Sequence, residues 1–158
     1  MTRDILVSIW AFIVGVFIVA LVVFLLMGVA CGDDALLSAM RVVESSGKDD
    51  AVGDGGRSRG PLQIQKPYWT DALEQLRREG ASASLVYERD VWDFEKSCII
   101  VRAYWRRYCV VALNDGDRET LARCHVGGPR GASRRSTLGY WRRVNRELAG
   151  EREKARVK

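Results

Sequence analysis

The sequence is poor in several residue types, and each shortage excludes a class of protein. Its 158 residues include one histidine, and no CxxC or HExxH spacing occurs, which argues against a zinc site. Four cysteines are too few for a disulfide-dense scaffold. No internal repeat is present. The length is enough for one domain with a hydrophobic core, and we expect no metal and no cofactor.

Positive charge is abundant by contrast. The net charge is +5, carried mainly by arginine, which favours an anionic partner such as nucleic acid, a membrane surface or a bacterial wall polymer. No helix-turn-helix, zinc-finger or RNP signature accompanies the charge, so we expect no nucleic-acid partner. Most single arginines of such a chain simply face solvent.

The N-terminal segment lacks charge altogether between residues 5 and 30. This apolar stretch is long enough to cross a bilayer as a helix and longer than a usual signal-peptide core. We predict a signal anchor or transmembrane segment over residues 1–31, with the rest of the chain outside the cytoplasm or secreted after cleavage near Ala30. Lipidation of Cys31 is a minority alternative.

Glu44 is the first candidate for chemistry. Apolar residues recur at helical spacing before it and mark one buried face: Leu36, Leu37, Met40 and Val43. Glu44 points to the same face, where desolvation favours the protonated carboxyl that a general acid needs. The alternative is a solvated glutamate at a helix end with no function.

Asp54 follows in a glycine-rich turn, AVGDGGRSRG. Glycines permit a tight hairpin that can bring Asp54 back toward the end of the Glu44 helix. Two carboxyl groups across a cleft are what glycosidases use, so the pair suggests carbohydrate cleavage. Asp49 and Asp50 compete with Asp54 for the second role.

The remaining patterns predict several short helices and one small β-hairpin, an α+β domain over residues 32–150 with a charged, frayed tail over 151–158. A strand is predicted over Gly60–Ile64. Four helices are predicted: from Pro67 toward Gly80, from about Asp90 to Tyr108, from Arg118 to about Cys124, and from Leu138 onward. A glycine turn holding His125 follows the third of these helices. Cys109 and Cys124 can pair if the domain is exported.

Several motifs together resemble the invertebrate-type (destabilase-like) lysozymes. They are ES-x-G at Glu44, the aspartate in its glycine turn, GPLQIQKPYW, VRAYWRRY, ARCHVGGPRG and STLGYW, in this order. The resemblance implies a lysozyme-like fold, Glu44 as the catalytic acid and Asp54 as the second carboxylate. It also implies sugar contacts at Ile64, Gln65, Lys66, Tyr68, Trp69, Tyr104, His125, Val126 and Gly127.

The chain departs from that family's pattern in three ways. It lacks most of the cysteines of the animal members, so it resembles a bacterial-style relative. Val126 stands where the family has asparagine. The isopeptide-cleaving activity of some members is linked to a serine and a lysine; Ser58 matches the serine, but Gln65 occupies the lysine position, with Lys66 next to it. That activity is therefore not expected here.

These features predict a lysozyme that cleaves the β-1,4 bond between N-acetylmuramic acid and N-acetylglucosamine in peptidoglycan or a chitin-like oligosaccharide. Two alternatives stay open. The ES-x-G segment and the glutamine after it also resemble lytic transglycosylases, which cut the same bond with one glutamate. A membrane-anchored, wall-binding protein without activity is the other.

Overall fold

The computed structural model describes residues 31–81 and 84–157. The apolar segment predicted to span or enter a membrane, residues 5–30, lies outside the described residues. Within the described ranges, no helix is long and apolar enough to cross a bilayer.

Seven helices and a small sheet make up the described chain. The helices are α1 (Cys31–Ser45), α2 (Lys66–Arg78), α3 (Tyr87–Asp90), α4 (Phe94–Tyr108), α5 (Val110–Asp115), α6 (Arg118–Gly127) and α7 (Leu138–Val157). The strands are β1 (Val52–Gly53), β2 (Ser58–Arg59) and β3 (Ile64–Gln65). Short 3₁₀ turns occupy Asp54–Gly56, Gly131–Ser133 and Arg135–Thr137. The predicted α+β class is confirmed, with helix as the dominant element.

Helix α4 lies at the centre of the core. Asp93 caps its start by accepting a hydrogen bond from the backbone N–H of Lys96 at 3.1 Å, which is why the helix begins at Phe94 and not at the predicted Asp90. Trp105 is fully buried and donates its indole N–H to the Leu121 carbonyl oxygen of α6 at 3.0 Å. A disulfide joins Cys109, the residue that follows the end of α4, to Cys124 of α6.

Helix α1 presents its apolar residues to this core as the spacing predicts. Leu36, Leu37 and Met40 are fully buried, and Val43 packs against the core with part of its surface exposed. Because Glu44 lies four residues after Met40, its side chain emerges beside the same face at the helix end. The core therefore fixes the position of this carboxyl group.

The sheet is larger than the single hairpin predicted. Three short antiparallel strands pair in the order β1–β2–β3, with Gly53 opposite Ser58 and Ser58 opposite Gln65. The turn after β2 contains Gly60 at φ 76°, where a Cβ atom would overlap the Val91 carbonyl oxygen. The strand predicted over Gly60–Ile64 is wrong except at Ile64, because residues 60–63 form the turn between β2 and β3. The sequence pattern missed β1 and β2 because two residues are too few to show an alternation.

Two helices extend beyond their predicted ends. Helix α6 continues through Gly127, so His125 and Val126 lie in its last turn and not in the glycine turn after it. Helix α7 continues through Val157, and the charged tail predicted from residue 151 is part of it, with exposed side chains from 151 to 156.

Candidate active site

A cleft of about 350 Å³ lies where the end of α1, the sheet and the last turn of α6 meet. Both candidate carboxyl groups, Glu44 and Asp54, line it. The other lining residues are Ser58, Gln63, Ile64, Gln65, Tyr68, His125, Val126 and Gly128. The fold thus brings together residues that are up to 84 positions apart in the sequence (44 and 128).

Glu44 occupies the buried side of this cleft. Its side chain is 17% exposed, and burial raises the pKa of the carboxyl group from 4.5 to about 7. The Tyr140 hydroxyl and the Arg143 guanidinium lower the pKa, and the negative charge of Asp54 raises it slightly. Desolvation is the largest of these effects, so Glu44 holds a proton at neutral or mildly acidic pH.

His125 lies beside Glu44, with its Nε2 atom 3.7 Å from Glu44 Oε1. Burial lowers the pKa of His125 from 6.5 to about 4, so the imidazole is neutral and the contact is not an ion pair. Nε2 lies 3.1 Å from the Leu62 carbonyl oxygen, which can only accept, so Nε2 carries the proton. Nδ1 then accepts a hydrogen bond from the Tyr68 hydroxyl at 3.2 Å.

Tyr68 forms a wall of the cleft and is itself supported from behind. Its ring stacks on the ring of Tyr104, with centroids 3.7 Å apart and planes inclined by 12°. Tyr104 is nearly buried and does not line the cleft. Tyr104 thus packs against Tyr68 and holds it in place, and the sugar contact at Tyr104 stays a prediction.

Tyr140 is a residue of the site that sequence reasoning missed. It lies in the STLGYW motif, is nearly buried, and its hydroxyl faces Glu44 closely enough to lower the pKa of that carboxyl group. The contact is longer or less well aligned than a standard hydrogen bond, because the hydroxyl has no partner of standard geometry among the described residues. Trp141, the next residue, packs against the core with part of its surface exposed.

Asp54 lies on the exposed side of the cleft. Its Oδ2 atom accepts hydrogen bonds from the Ser58 hydroxyl at 2.7 Å and from the Gln65 amide at 3.2 Å. Its own backbone has φ 50°, and Gly55 follows at φ 64°, so the turn bends in the left-handed region that aspartate and glycine tolerate. The turn and two polar neighbours thus orient an exposed carboxylate toward the cleft.

The two competing aspartates are placed differently. Asp49 forms an ion pair with Arg41 at 2.7 Å, and neither Asp49 nor Asp50 lines the cleft. Both are exposed in the turn that leaves α1. The geometry favours Asp54 as the second carboxyl group.

Three further predicted sugar contacts lie outside the cleft. Lys66 is exposed and pairs with Glu88 at 2.6 Å. Trp69 is buried in the core against Tyr87, because it lies on the inner face of α2. Gly127 is adjacent to the lining residue Val126 and packs close to Thr137.

Ile64, Gln65, Tyr68, His125 and Val126 line the cleft, as the resemblance implies. Gln63 and Gly128 also line it, although no sugar contact was predicted at either residue. Gln63 donates to the carbonyl oxygens of Ala51 and Gly60 at 3.0 Å each and so holds the sheet turns together. No cluster of three or more potential metal ligands occurs among the described residues.

A buried, protonated glutamate facing an exposed aspartate across a polar cleft defines a glycoside hydrolase site of the lysozyme kind. Comparison with known proteins agrees. The destabilase family model matches residues 33–147, and the chain belongs to this family.

Named relatives are lysozymes. The chain is 35% identical over 94 residues to invertebrate-type lysozyme 2 of Caenorhabditis elegans, an alignment that covers 58% of this chain and 67% of the relative. It is 34% identical over 90 residues to a lysozyme of Magallana gigas, covering 57% and 60% of the two chains. The alignments thus span about two thirds of the relatives' length. They confirm the predicted family and support the lysozyme class of enzyme.

A solved structure agrees with the fold. A chain in the crystal structure of Aeromonas hydrophila PliI in complex with Meretrix lusoria lysozyme matches with a TM-score of 0.58 and 28% identity. The match covers 71% of this chain and 87% of that chain. The predicted lysozyme-like fold is therefore confirmed for the helical domain and its small sheet.

Proposed function

We propose that this protein hydrolyses the β-1,4 bond between N-acetylmuramic acid and N-acetylglucosamine in peptidoglycan, and the equivalent bond of chitin-like oligosaccharides. The observation that carries the proposal is the contrast between two carboxyl groups in one cleft. Burial raises the pKa of Glu44 to about 7, whereas Asp54 is exposed and accepts two hydrogen bonds. An acid and an anionic partner are the two groups that the reaction requires.

The reaction follows from these protonation states. Glu44 donates its proton to the glycosidic oxygen as the bond to the anomeric carbon breaks. The Asp54 carboxylate attacks that carbon or stabilises its positive charge. Glu44, now ionised, removes a proton from a water molecule, which adds to the anomeric carbon and releases Asp54. Glu44 is then protonated again, and one water has been consumed.

Neutral His125 assists without exchanging a proton. Its Nε2–H donates to Leu62, so it presents no positive charge that would stabilise ionised Glu44 and lower its pKa. On the other side of the cleft, Ser58 and Gln65 orient the carboxylate of Asp54, because each donates a hydrogen bond to it. The surroundings therefore keep Glu44 protonated and hold the exposed Asp54 in a fixed orientation.

Export of the domain is a further part of the proposal, because peptidoglycan lies outside the cytoplasm. The Cys109–Cys124 disulfide supports it, since such bonds persist in oxidising compartments. A reporter fused after Lys158 should be active outside the cytoplasm. A reporter active only inside would contradict both the export and the wall substrate.

The mechanism is tested with Asp54→Asn on purified peptidoglycan, with products identified by mass spectrometry. A hydrolase should lose about 10²–10⁴-fold in kcat or more, because the variant removes the carboxylate at the anomeric carbon. The residual products should contain the added water. A variant that keeps nearly full activity and releases anhydro products, one water lighter, would show a lytic transglycosylase instead. If the variant keeps its stability, and both it and the wild-type protein bind walls without cleaving them, the protein is a wall-binding protein and not an enzyme.

A further inference from the structure

A second cleft, of about 290 Å³, borders the first one. We call it the basic cleft, because three of its lining residues are cationic and one is anionic: Arg57, Arg59, Lys66 and Glu88. Gln65 lines both clefts, so the two adjoin at this residue. A ligand that fills the catalytic cleft can therefore extend a substituent into the basic cleft.

Strand β2 explains why the two clefts differ in charge. Successive side chains of a strand point to opposite faces. Ser58 lines the catalytic cleft and bonds Asp54, whereas Arg57 and Arg59 on either side of it line the basic cleft. Ser58 of β2 thus orients the second carboxyl group on one face, while Arg59 of β2 and Arg57, the turn residue before it, line the cleft on the other.

The two arginines are held in place through Nε, and their terminal nitrogens donate no hydrogen bond to any residue that the structure describes. Arg57 donates through Nε to the Asp54 carbonyl oxygen, and Arg59 through Nε to the Gly56 carbonyl oxygen, both at 3.1 Å. The Arg59 guanidinium also lies 5.8 Å from the centre of the Tyr87 ring. Among the described residues, no carboxylate lies within ion-pair distance of either guanidinium group. Anchoring through Nε leaves the terminal N–H groups for a bidentate oxyanion.

Lys66 is less available than the arginines. It pairs with Glu88 at 2.6 Å, and both side chains are more than half exposed. An exposed pair of this kind is worth about 0–1 kcal/mol and opens readily. The net charge of the basic cleft therefore stays positive through Arg57 and Arg59.

We propose that the basic cleft binds an oxyanion carried by the glycan strand that occupies the catalytic cleft. This proposal rests on the proposed function, because it needs a sugar chain in the first cleft. Two wall components share the required chemistry: the carboxylates of the peptide attached to the muramic acid, and the phosphates of polymers linked to the wall. Recognition of either would make the enzyme prefer anionic wall glycan to neutral chitin oligomers.

The test measures affinity without cleavage. In a Glu44→Gln background, calorimetry compares a neutral chitin oligomer with a peptidoglycan fragment of the same sugar length that carries free peptide carboxylates. Arg57→Gln/Arg59→Gln is compared with Arg146→Gln/Arg152→Gln, which removes the same charge from exposed positions of α7. Lys66→Gln is a second, milder variant of the basic cleft. Thermal unfolding checks that each variant is folded.

We expect the anionic fragment to bind about 10-fold more tightly than the neutral oligomer, as a charge-assisted hydrogen bond predicts. The preference should disappear in Arg57→Gln/Arg59→Gln, weaken in Lys66→Gln and persist in the α7 control. Amidation of the peptide carboxylates should abolish it if they are the source. If the fragment shows no preference while inorganic phosphate binds the parent protein and the α7 control but not Arg57→Gln/Arg59→Gln, phosphate is the source.

An equal preference in the basic-cleft variant and the α7 control would overturn the proposal. So would a parent protein that neither prefers the anionic fragment nor binds inorganic phosphate. The proposed function is judged separately, by whether the protein with Glu44 intact cleaves the neutral oligomer. Preferential binding of the anionic fragment without cleavage would contradict the proposed function and support oxyanion binding in the basic cleft. Cleavage without that preference would support the proposed function and contradict oxyanion binding.

Discussion

The two sides of the catalytic cleft carry the same functional group in opposite surroundings. On one side Glu44 ends a helix that is packed into the core, and burial raises its pKa to about 7. On the other side Asp54 lies in an exposed glycine turn and accepts hydrogen bonds from Ser58 and Gln65. Environment, and not residue type, thus assigns one carboxyl group as acid and the other as anion.

The largest expected effect comes from removing the acid. Glu44→Gln keeps the shape of the side chain and eliminates its proton, so kcat on cell walls should fall by about 10²–10⁴-fold. Glu147→Gln, an exposed glutamate of α7, is the matched control and should keep wild-type activity. A Glu44→Gln variant within a factor of a few of wild type would show that the buried side of the cleft is not the acid side.

The same substitution should change how stability depends on pH. Unfolded Glu44 loses its proton above about pH 4.5, whereas the folded protein holds it until about pH 7. The folded state therefore binds more protons in this window, and wild-type stability falls by about 3 kcal/mol as pH rises through it. Glu44→Gln lacks this loss. Its free energy of unfolding, relative to wild type, should increase between pH 4.5 and 7.5 in urea titrations.

His125 changes stability with pH in the opposite direction to Glu44, over an overlapping pH range. Its pKa falls from 6.5 to about 4 on folding, so the unfolded state binds more protons there and stability falls as pH decreases. In the wild-type protein, the pH dependence of stability that His125 causes offsets part of the pH dependence that Glu44 causes. In Glu44→Gln only the His125 contribution remains, so the free energy of unfolding should fall clearly from pH 6.5 to 4. Parallel curves for the two proteins would contradict the burial of the Glu44 carboxyl group.

A smaller effect is expected from Tyr140→Phe. The hydroxyl stabilises ionised Glu44, so its removal should raise the pKa of that group. Activity that needs protonated Glu44 falls as pH rises through about 7, and this limb of the kcat/KM profile should move upward by about half a pH unit. Tyr108→Phe, which loses a hydroxyl bonded to Asp71, is the control and should leave the profile unchanged.

The smallest effect is expected at Asp49 and Asp50, the alternative candidates for the second carboxyl group. Asp49→Asn breaks an exposed ion pair with Arg41, worth about 0–1 kcal/mol, and Asp50→Asn changes an exposed side chain. Both should retain activity within about twofold of wild type, measured beside Asp54→Asn. A large loss in either one, with Asp54→Asn active, would move the second carboxyl role along the turn.

Local patterns predicted the elements that bury an apolar face. The spacing of Leu36, Leu37 and Met40 predicted the buried side of α1, and with it the direction of Glu44. The glycines around Asp54 predicted a tight turn, which the positive φ values of that segment confirm. Motifs in chain order predicted the family. These features depend on residues near one another in sequence, which is why they could be inferred without a structure.

Long-range packing decided the rest. Periodicity cannot show that Tyr140 reaches Glu44 from a helix almost a hundred residues later, or that Tyr104 supports Tyr68 from behind the cleft. It cannot separate a sugar-stacking tryptophan from a core tryptophan such as Trp69. Nor does it show that β2 directs Ser58 and the flanking arginines to different clefts.

The sequence by itself determined the family, the helix that ends in Glu44 and the turn that holds Asp54, because each is encoded by a local pattern or a motif. Only the tertiary structure decided the chemical state of the site. The pKa of Glu44 depends on how completely α1, α6 and α7 exclude water from one carboxyl group. The orientation of Asp54 depends on hydrogen bonds from Ser58 and Gln65, which come together only when the strands pair.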